Sequence, residues 1–357
     1  MLAQQDLEHV LFHTGSLWNN LKYKRIFITG GTGFLGKWLL ESFAEANTNL
    51  HLNAQLHVLS RNPDQFKQKF PYLSDKNGIF FHQGDVRNFT FPKEKFDYII
   101  HAATEASVQL NLEDPLVMVD TIVNGTRRVL DFARSCGAKR LLFTSSGAVY
   151  GKQPVELTHV PETYTGAPDP SHPAAAYGEA KRLAELLCSI YHRQYQIEVV
   201  TARCFTFIGP YLPLDLEYAV GNFIKDGLEN KSIQIQGDGT TLRSYLHAAD
   251  LTVWLWTILV LGKPGAVYNV GSDQEVSIFE LATKIGSAFG NTMDIVVSQK
   301  AIPGKTPDQY VPDITLAKKE LSLDCRIDID DAIWRTIDFY KKIEGVEALF
   351  AKSRQLF

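Results

Sequence analysis

Apolar positions change period several times along the chain. Leu7, Val10 and Leu11 fall at helical spacing before the break Thr14-Gly15-Ser16, which predicts a short helical arm over residues 1–22 packed on the body. From Lys24 the pattern shifts. Arg25-Ile26-Phe27-Ile28-Thr29 reads as a buried strand, a glycine-rich turn follows, and Phe34 to Ala46 repeats with helical period. Further strands are expected at Gln55 to Ser60, Gly78 to Phe81, Tyr98 to Ala103, Arg140 to Ser145 and Ile197 to Arg203, with helices at Met118 to Ser135 and Ala176 to Tyr195. Strands alternating with helices predict an α/β fold with a Rossmann-type, doubly wound parallel sheet over residues 23–204. Beyond Phe205, proline and glycine become denser, as in Gly209-Pro210-Tyr211-Leu212-Pro213 and Gly237-Asp238-Gly239. Residues 205–345 are therefore expected to form mainly a smaller α+β substrate domain, with 246–270 returning to the nucleotide-binding domain.

Composition adds exclusions. With 357 residues the chain can bury a core, and its formal net charge of −4 supplies no basic field for nucleic acid or an anionic membrane, so neither is an expected partner. Cys136, Cys188, Cys204 and Cys325 are scattered without a C-x-x-C pair, which predicts neither a disulfide framework nor a metal site. No apolar run approaches about 18 residues. Gln4, Gln5, Asp6 and Glu8 do not follow the basic-then-apolar order of a signal peptide, and a cytoplasmic location is expected.

The first turn reads Gly30-Gly31-Thr32-Gly33-Phe34-Leu35-Gly36, so two overlapping spacings, G-x-G-x-x-G and G-x-x-G-x-x-G, are both met. Glycines are needed there because the backbone must turn tightly and approach a pyrophosphate, whose charge is met by free N–H groups at the helix start. Gly30, Thr32, Gly33, Phe34, Leu35 and Gly36 are the expected cofactor cradle. The second strand ends Val58-Leu59-Ser60-Arg61-Asn62, without the acidic residue that bonds the ribose of NAD. Ser60 and Arg61 suit the 2′-phosphate of NADP, NAD remaining possible. Farther on, Tyr177 and Lys181 stand four apart on a helix, on one face. An ammonium beside a phenol favours the phenolate and makes the oxygen a usable acid–base group. Ser145 and Ser146 end a strand whose carboxyl end faces the same crevice.

Thr29 to Gly36, His101-Ala102-Ala103, Ser145-Ser146-Gly147-Ala148-Val149-Tyr150-Gly151, the Tyr177/Lys181 pair and Arg203 to Pro210 follow one another in the order of a known family. Over roughly residues 24 to 340 the chain resembles the extended short-chain dehydrogenases/reductases that process nucleotide sugars, a family of 4-epimerases, 4,6-dehydratases, decarboxylases and 4-ketoreductases. The resemblance implies a catalytic set of Ser146, Tyr177 and Lys181. It adds Asp85 and Val86, in an adenine-contacting turn, and Ala102, Ala103, Thr104 and Lys181 to the cofactor contacts. It places Glu105, Ser145, Thr206, Asn222 and Arg243 against a nucleotide-diphosphate sugar, with Arg243 gripping the diphosphate. Tyr268-Asn269-Val270-Gly271 and Tyr310-Val311-Pro312-Asp313 also look like family landmarks. The resemblance further implies a homodimer formed through the helices at 118–135 and 176–195.

Two departures narrow the reaction. Gly147 and Ala148 stand where dehydratases carry Asp-Glu and decarboxylases a glutamate, and neither can transfer a proton. Thr206 replaces the asparagine common beside the diphosphate. The expectation is an NADPH-dependent reductase of a 4-keto-6-deoxy-sugar nucleotide, with a nucleotide-sugar 4-epimerase as the alternative. A non-catalytic NADP-binding protein is disfavoured by the complete Ser146, Tyr177 and Lys181 set.

Overall fold

The computed structural model describes residues 1–74, 76, 78–104, 108–214, 218–290 and 293–354. Its centre is a seven-stranded sheet. The strands are β1 (Arg25–Thr29), β2 (Gln55–Ser60), β3 (Ile79–Gln83), β4 (Tyr98–His101), β5 (Arg140–Ser146), β6 (Glu198–Cys204) and β7 (Val267–Val270). They lie in the order β7-β6-β5-β4-β1-β2-β3, with every neighbouring pair parallel. Side chains alternate between two cores, as the twofold period of a strand requires. Ile26, Ile28, Leu142 and Val200 pack into one, and Phe27, Leu141, Phe143 and Val199 into the other. Such double burial explains why β5 reads as a run of apolar and small residues and is buried throughout.

Helices cover both faces. α2 (Phe34–Asn49) and α5 (Ala248–Leu261) contribute to the first core, α3 (Pro115–Cys136) and α4 (Ala176–Tyr195) to the second. The arm, α1 (Gln4–Thr14) and the 3-10 turn after it, buries Leu7, Val10, Leu17 and Trp18 against α2 and α5. Trp18 meets Trp256 with ring centroids 5.0 Å apart. Asp6 pairs with Arg335 at 2.6 Å and His9 with Asp250 at 2.7 Å. After β6 the chain makes small sheets. Leu242–Ser244 lies between Glu275–Ser277 and Gln309–Tyr310, and Ile233–Ile235 pairs with Ile295–Val297. β7, at 267–270, then extends the large sheet beside β6.

Several boundaries differ from those expected, each for a local reason. Gly78 has φ +91°, so β3 starts at Ile79, and pairing of Leu59 with His82 and Ser60 with Gln83 carries it two residues past Phe81. β4 stops at His101 because its partner β1 ends at Thr29. α3 starts at Pro115, three residues early, where Asp114 accepts a bond from Val117 N–H at 3.3 Å and proline suits the first helical position.

Candidate active site

The turn after β1 is shaped by what its glycines exclude. Gly30 has φ +74°, and a Cβ there would lie 2.5 Å from both C and O of Ala102. At Gly36 a Cβ would meet Gly30 O at 2.3 Å. Gly33 is different: it caps α2 without a side-chain bond, and a Cβ would touch only Gly30 O, at 3.4 Å. The helix start therefore presents uncapped N–H groups over an open approach, an anion site that fits a dinucleotide pyrophosphate. Thr32, Phe34 and Leu35 are half-buried on the same turn.

Around this cradle, Ser60 Oγ accepts Asn62 N–H at 3.3 Å and Arg61 is exposed at the end of β2. Asp85 is already engaged: Arg87 donates from Nε and Nη2 to its two oxygens, each at 2.9 Å, which holds the carboxyl below its usual range. Val86 is buried behind it. Ala103 N–H donates to Thr29 Oγ1 at 3.2 Å, Ala102 is half-buried, and Thr104 Oγ1 is buried without a partner among the described residues. Glu105 lies outside the described residues.

Ser146 closes β5, its Oγ accepting Ala148 N–H at 3.1 Å at the start of a 3-10 turn, Gly147–Tyr150. Tyr177 lies in the first turn of α4 and Lys181 one turn later, so β5 and α4 bring the three together. The Ser146 hydroxyl lies close enough to the Tyr177 phenol to favour its charged form. Lys181 is 2% exposed, its Nζ donates to Thr144 O at 2.8 Å, and burial lowers its pKa to about 8. The expected lowering of the Tyr177 pKa by Lys181 gives way to a larger effect. Burial raises the phenol well above its usual value, opposed by the Ser146 hydroxyl, while the Lys181 Nζ stays 5.9 Å from the ring centroid and is spent on Thr144. His101 braces the floor between Thr29 Oγ1 at 2.8 Å and Thr126 Oγ1 at 3.0 Å, and burial pushes its pKa down to about 3.

On the substrate side, Ser145 and Ser146 point to opposite faces of β5, and the Ser145 hydroxyl donates to Glu185 at 2.5 Å. Glu185 also receives Arg203 Nη2 at 2.7 Å, so Ser145 joins a half-buried ion pair. Thr206 Oγ1 is buried without a partner among the described residues, Asn222 is exposed on the helix Ala219–Leu228, and Arg243 Nη1 donates to Leu242 O at 3.1 Å. Reading the sequence by motif missed Tyr310, Phe205, Tyr218, Cys204, Ser244 and Gln309. Tyr310 and Phe205 crowd Gly147, and Tyr218 and Cys204 act on the charge of Tyr177. Ser244 Oγ and Gln309 Oε1 are buried without partners among the described residues. Tyr310, and Cys204 and Phe205 within Arg203 to Pro210, had a signal as parts of family landmarks with no role attached.

The arrangement offers a phenol, a hydroxyl and an ammonium beside a dinucleotide cradle, a set suited to proton transfer coupled to hydride transfer at a carbinol or carbonyl carbon. Comparison with known proteins agrees with this. A family model described as the NAD dependent epimerase/dehydratase family matches residues 26–271. UDP-glucuronic acid decarboxylase 5 of Arabidopsis thaliana is 31% identical over 313 residues, 87% of this chain and 87% of that protein. A dTDP-glucose 4,6-dehydratase of Streptomyces niveus is 26% identical over 322 residues, 89% and 93% of the two chains. Among solved structures, UDP-glucose 4-epimerase of Thermotoga maritima with UDP-glucose has a TM-score of 0.77 at 21% identity, covering 89% of this chain and 99% of that one. UDP-glucuronic acid 4-epimerase of Bacillus cereus, in complex with UDP-glucuronic acid and NAD, has a TM-score of 0.76 at 23% identity, covering 89% and 99%.

Proposed function

Because the chain belongs to the NAD-dependent epimerase/dehydratase family, as an extended short-chain dehydrogenase/reductase of the nucleotide-sugar type, we propose that it reduces the C4 ketone of a deoxy-sugar nucleotide with NADPH. The observation that carries this reading is the pairing of Ser146, Tyr177 and Lys181 with Gly147 and Ala148, a site equipped for redox chemistry that lacks the carboxylates for dehydration or decarboxylation. A Cβ at residue 147, where dehydratases carry Asp, would lie 2.5 Å from Tyr310 OH and 2.8 Å from Phe205 Cζ. At the second position, where decarboxylases carry their glutamate, Ala148 has no proton to transfer, so the similarity to decarboxylases is not read as their reaction.

A nicotinamide cofactor, when bound, would supply or accept the hydride. In the reductive direction Tyr177 gives its proton to the developing alkoxide, a step to which its raised phenol pKa is suited. Ser146 orients the carbonyl oxygen, and Lys181, charged below about pH 8, favours the phenolate left behind. Gly30, Gly33 and Gly36 would hold the pyrophosphate, Ser60 and Arg61 the 2′-phosphate that would favour NADP over NAD, and Arg243 the diphosphate of the sugar nucleotide, with Thr206 and Asn222 as further substrate contacts. A 4-epimerase is the second reading, favoured by the Ser146 to Gly151 stretch, which suits it equally.

No helix among the described residues is long and apolar enough to cross a membrane, and we place the enzyme in the cytoplasm as a homodimer. α3 and α4 pack together, and α4 leaves Leu183 44% and Leu186 55% exposed beside a groove of about 600 Å3. Light scattering tests the dimer, which a monomer at all concentrations rejects. For the reaction, UDP-, dTDP-, GDP- and CDP-sugars with and without a 4-keto group are screened for NADPH oxidation. The reductase consumes NADPH in proportion to a 4-keto sugar. Isomerisation without net consumption, with cofactor copurifying, turns the assignment to epimerase. Loss of water or carbon dioxide by mass spectrometry rejects both.

A further inference from the structure

Beside Ser146 the cleft is closed by two aromatic side chains. Tyr310 ends the strand Gln309–Tyr310, which pairs with Leu242–Ser244 so that Tyr310 lies opposite Arg243. Phe205 follows β6, its N–H donating to Val270 O at 2.9 Å. The two rings pack with centroids 4.7 Å apart. At Gly147, the residue after Ser146, an ideal Cβ would lie 2.5 Å from Tyr310 OH and 2.8 and 2.9 Å from Phe205 Cζ and Cε1. Phe205 is buried together with Val149, Tyr150 and Val160, so the wall is apolar in depth.

Among the described residues, the cations placed around this wall are engaged elsewhere. Lys181 Nζ donates to Thr144 O at 2.8 Å, Arg203 Nη2 to Glu185 at 2.7 Å, and Lys152 Nζ meets Asp308 at 2.8 Å. Arg243 stands 5.4 Å from the centre of the Tyr310 ring and is assigned above to the diphosphate. A carboxylate set against Phe205 would therefore be a desolvated charge without a partner, and a hydroxyl there would find only the Tyr310 oxygen. A methyl group would meet ring carbon and gain by burial.

We propose that Phe205 and Tyr310 are the specificity-determining residues of the sugar site, facing C5 so as to select a 6-methyl group over a 6-hydroxyl and to exclude a 6-carboxylate. This rests on the sugar-nucleotide reading above, in which Ser146 and Tyr177 receive the oxygen at C4. With that oxygen fixed, one ring neighbour of C4 lies towards Gly147 and the wall against it. C3 carries a hydroxyl and C5 carries C6, so an aromatic wall suits the C5 side of a 6-deoxy sugar. UDP-glucuronic acid falls outside the class.

The test is calorimetric binding to the full chain saturated with NADPH, using glucose, 6-deoxyglucose and glucuronic acid, each as its UDP, dTDP, GDP and CDP form. Within the nucleotide series that binds, the 6-deoxy sugar is expected to bind about tenfold more tightly than the 6-hydroxy sugar, and at least about a hundredfold more tightly than the uronate. Phe205→Ala is expected to cut the preference for the 6-deoxy sugar at least about threefold. Phe205→Leu, which shortens the wall but keeps it apolar, moves the preference the same way if the alanine variant does not fold. A 6-hydroxy or 6-carboxylate ligand that binds wild type as tightly as the 6-deoxy ligand overturns the proposal, as does an unchanged preference in the folded variants. NADPH oxidation by a 4-keto-6-deoxy-sugar nucleotide keeps the two readings apart. The expected ranking without turnover sinks the reductase alone, and turnover without the ranking sinks the wall alone. If none of these compounds binds, the wall falls together with the nucleotide-sugar reading.

Discussion

The cofactor half of the cleft is made of backbone, whereas the substrate half is made of side chains carried in from distant segments. Around Gly30 and Gly36 the nearest obstacles to any side chain are main-chain atoms, at 2.5 Å and 2.3 Å, which cannot yield without unmaking the turn. Around Gly147 the obstacles are the tips of Tyr310 and Phe205, which other residues could replace. Buried polar atoms divide less sharply. Thr29 and His101 are bonded within the cofactor half, but Thr104 Oγ1 there, like Thr206 Oγ1, Ser244 Oγ and Gln309 Oε1 on the other side, has no partner among the described residues. A backbone cradle serves any reaction that needs the dinucleotide. The choice among reduction, epimerisation, dehydration and decarboxylation lies with the side chains facing it.

The largest expected effect joins the two halves. Tyr177→Phe removes the acid–base proton while leaving the glycine cradle untouched, so turnover is expected to fall by about a hundredfold to ten-thousandfold with cofactor affinity unchanged. Steady-state rates beside a cofactor titration check it, and a variant keeping most of its rate refutes the assignment. Next comes Gly36→Ala, whose Cβ meets Gly30 O at 2.3 Å. Cofactor affinity is expected to drop by at least about tenfold, with a lower thermal midpoint, since strain of about 1 to 3 kcal/mol must go into the turn. Unchanged binding by calorimetry would mean that the cradle is softer than its geometry.

The asymmetry also sets what the amino-acid sequence disclosed. The helix Ala176–Tyr195 and the strand Gln55–Ser60 were legible to the residue, because their periods are strong and their ends carry local signals. The glycine turn was legible because its constraint is local to seven residues. Tyr310 was not: it is 133 positions from Tyr177, and only pairing of Gln309–Tyr310 with Leu242–Ser244 brings it to Gly147. The bond from Ser145 to Glu185 was hidden for the opposite reason, since closeness to Ser146 in sequence conceals that a strand turns neighbours to opposite faces. The electrostatics of Tyr177 were misjudged because helical spacing shows that Lys181 is near, but not that the site is dry or that Thr144 takes the ammonium.

Arg61→Ala sharpens the comparison at the one point where the cofactor half relies on a side chain for choice. Loss of a charge-assisted phosphate bond of about 1.5 to 3 kcal/mol should weaken NADP by roughly tenfold or more and leave NAD nearly unaffected. Equal losses for both cofactors by calorimetry would remove Arg61 from the 2′-phosphate site.

A smaller effect at neutral pH comes from His57, on β2, bonded to His82 at 2.8 Å and lowered to a pKa of about 4 by burial. The unfolded chain binds its proton near pH 6.5, the folded chain only near 4, so this part of stability is complete above 6.5 and declines as pH falls towards 4. His57→Gln is expected to flatten urea stability across that window by up to about one proton per molecule. An unchanged slope would assign the acid sensitivity elsewhere.

The smallest expected effect is on stability, and it separates the halves most cleanly. Ser244 is 0% exposed and its hydroxyl has no partner among the described residues, so the fold is expected to gain nothing from it. Deleting an unpaired buried hydroxyl removes a desolvation cost without breaking a bond, and Ser244→Ala is expected to change stability by no more than about 0.5 kcal/mol, or to raise it slightly. Ser145→Ala is the control of equal chemistry. Its hydroxyl bonds Glu185 at 2.5 Å, and its removal leaves a charged oxygen short of a donor, at a cost of about 1 to 3 kcal/mol. Urea unfolding of the two variants measures the contrast. If Ser244 instead waits for the sugar nucleotide, the same alanine that leaves stability alone raises KM several-fold. A Ser244→Ala protein that loses as much stability as Ser145→Ala would mean that its hydroxyl serves the fold, and that the substrate half is built no differently from the cofactor half.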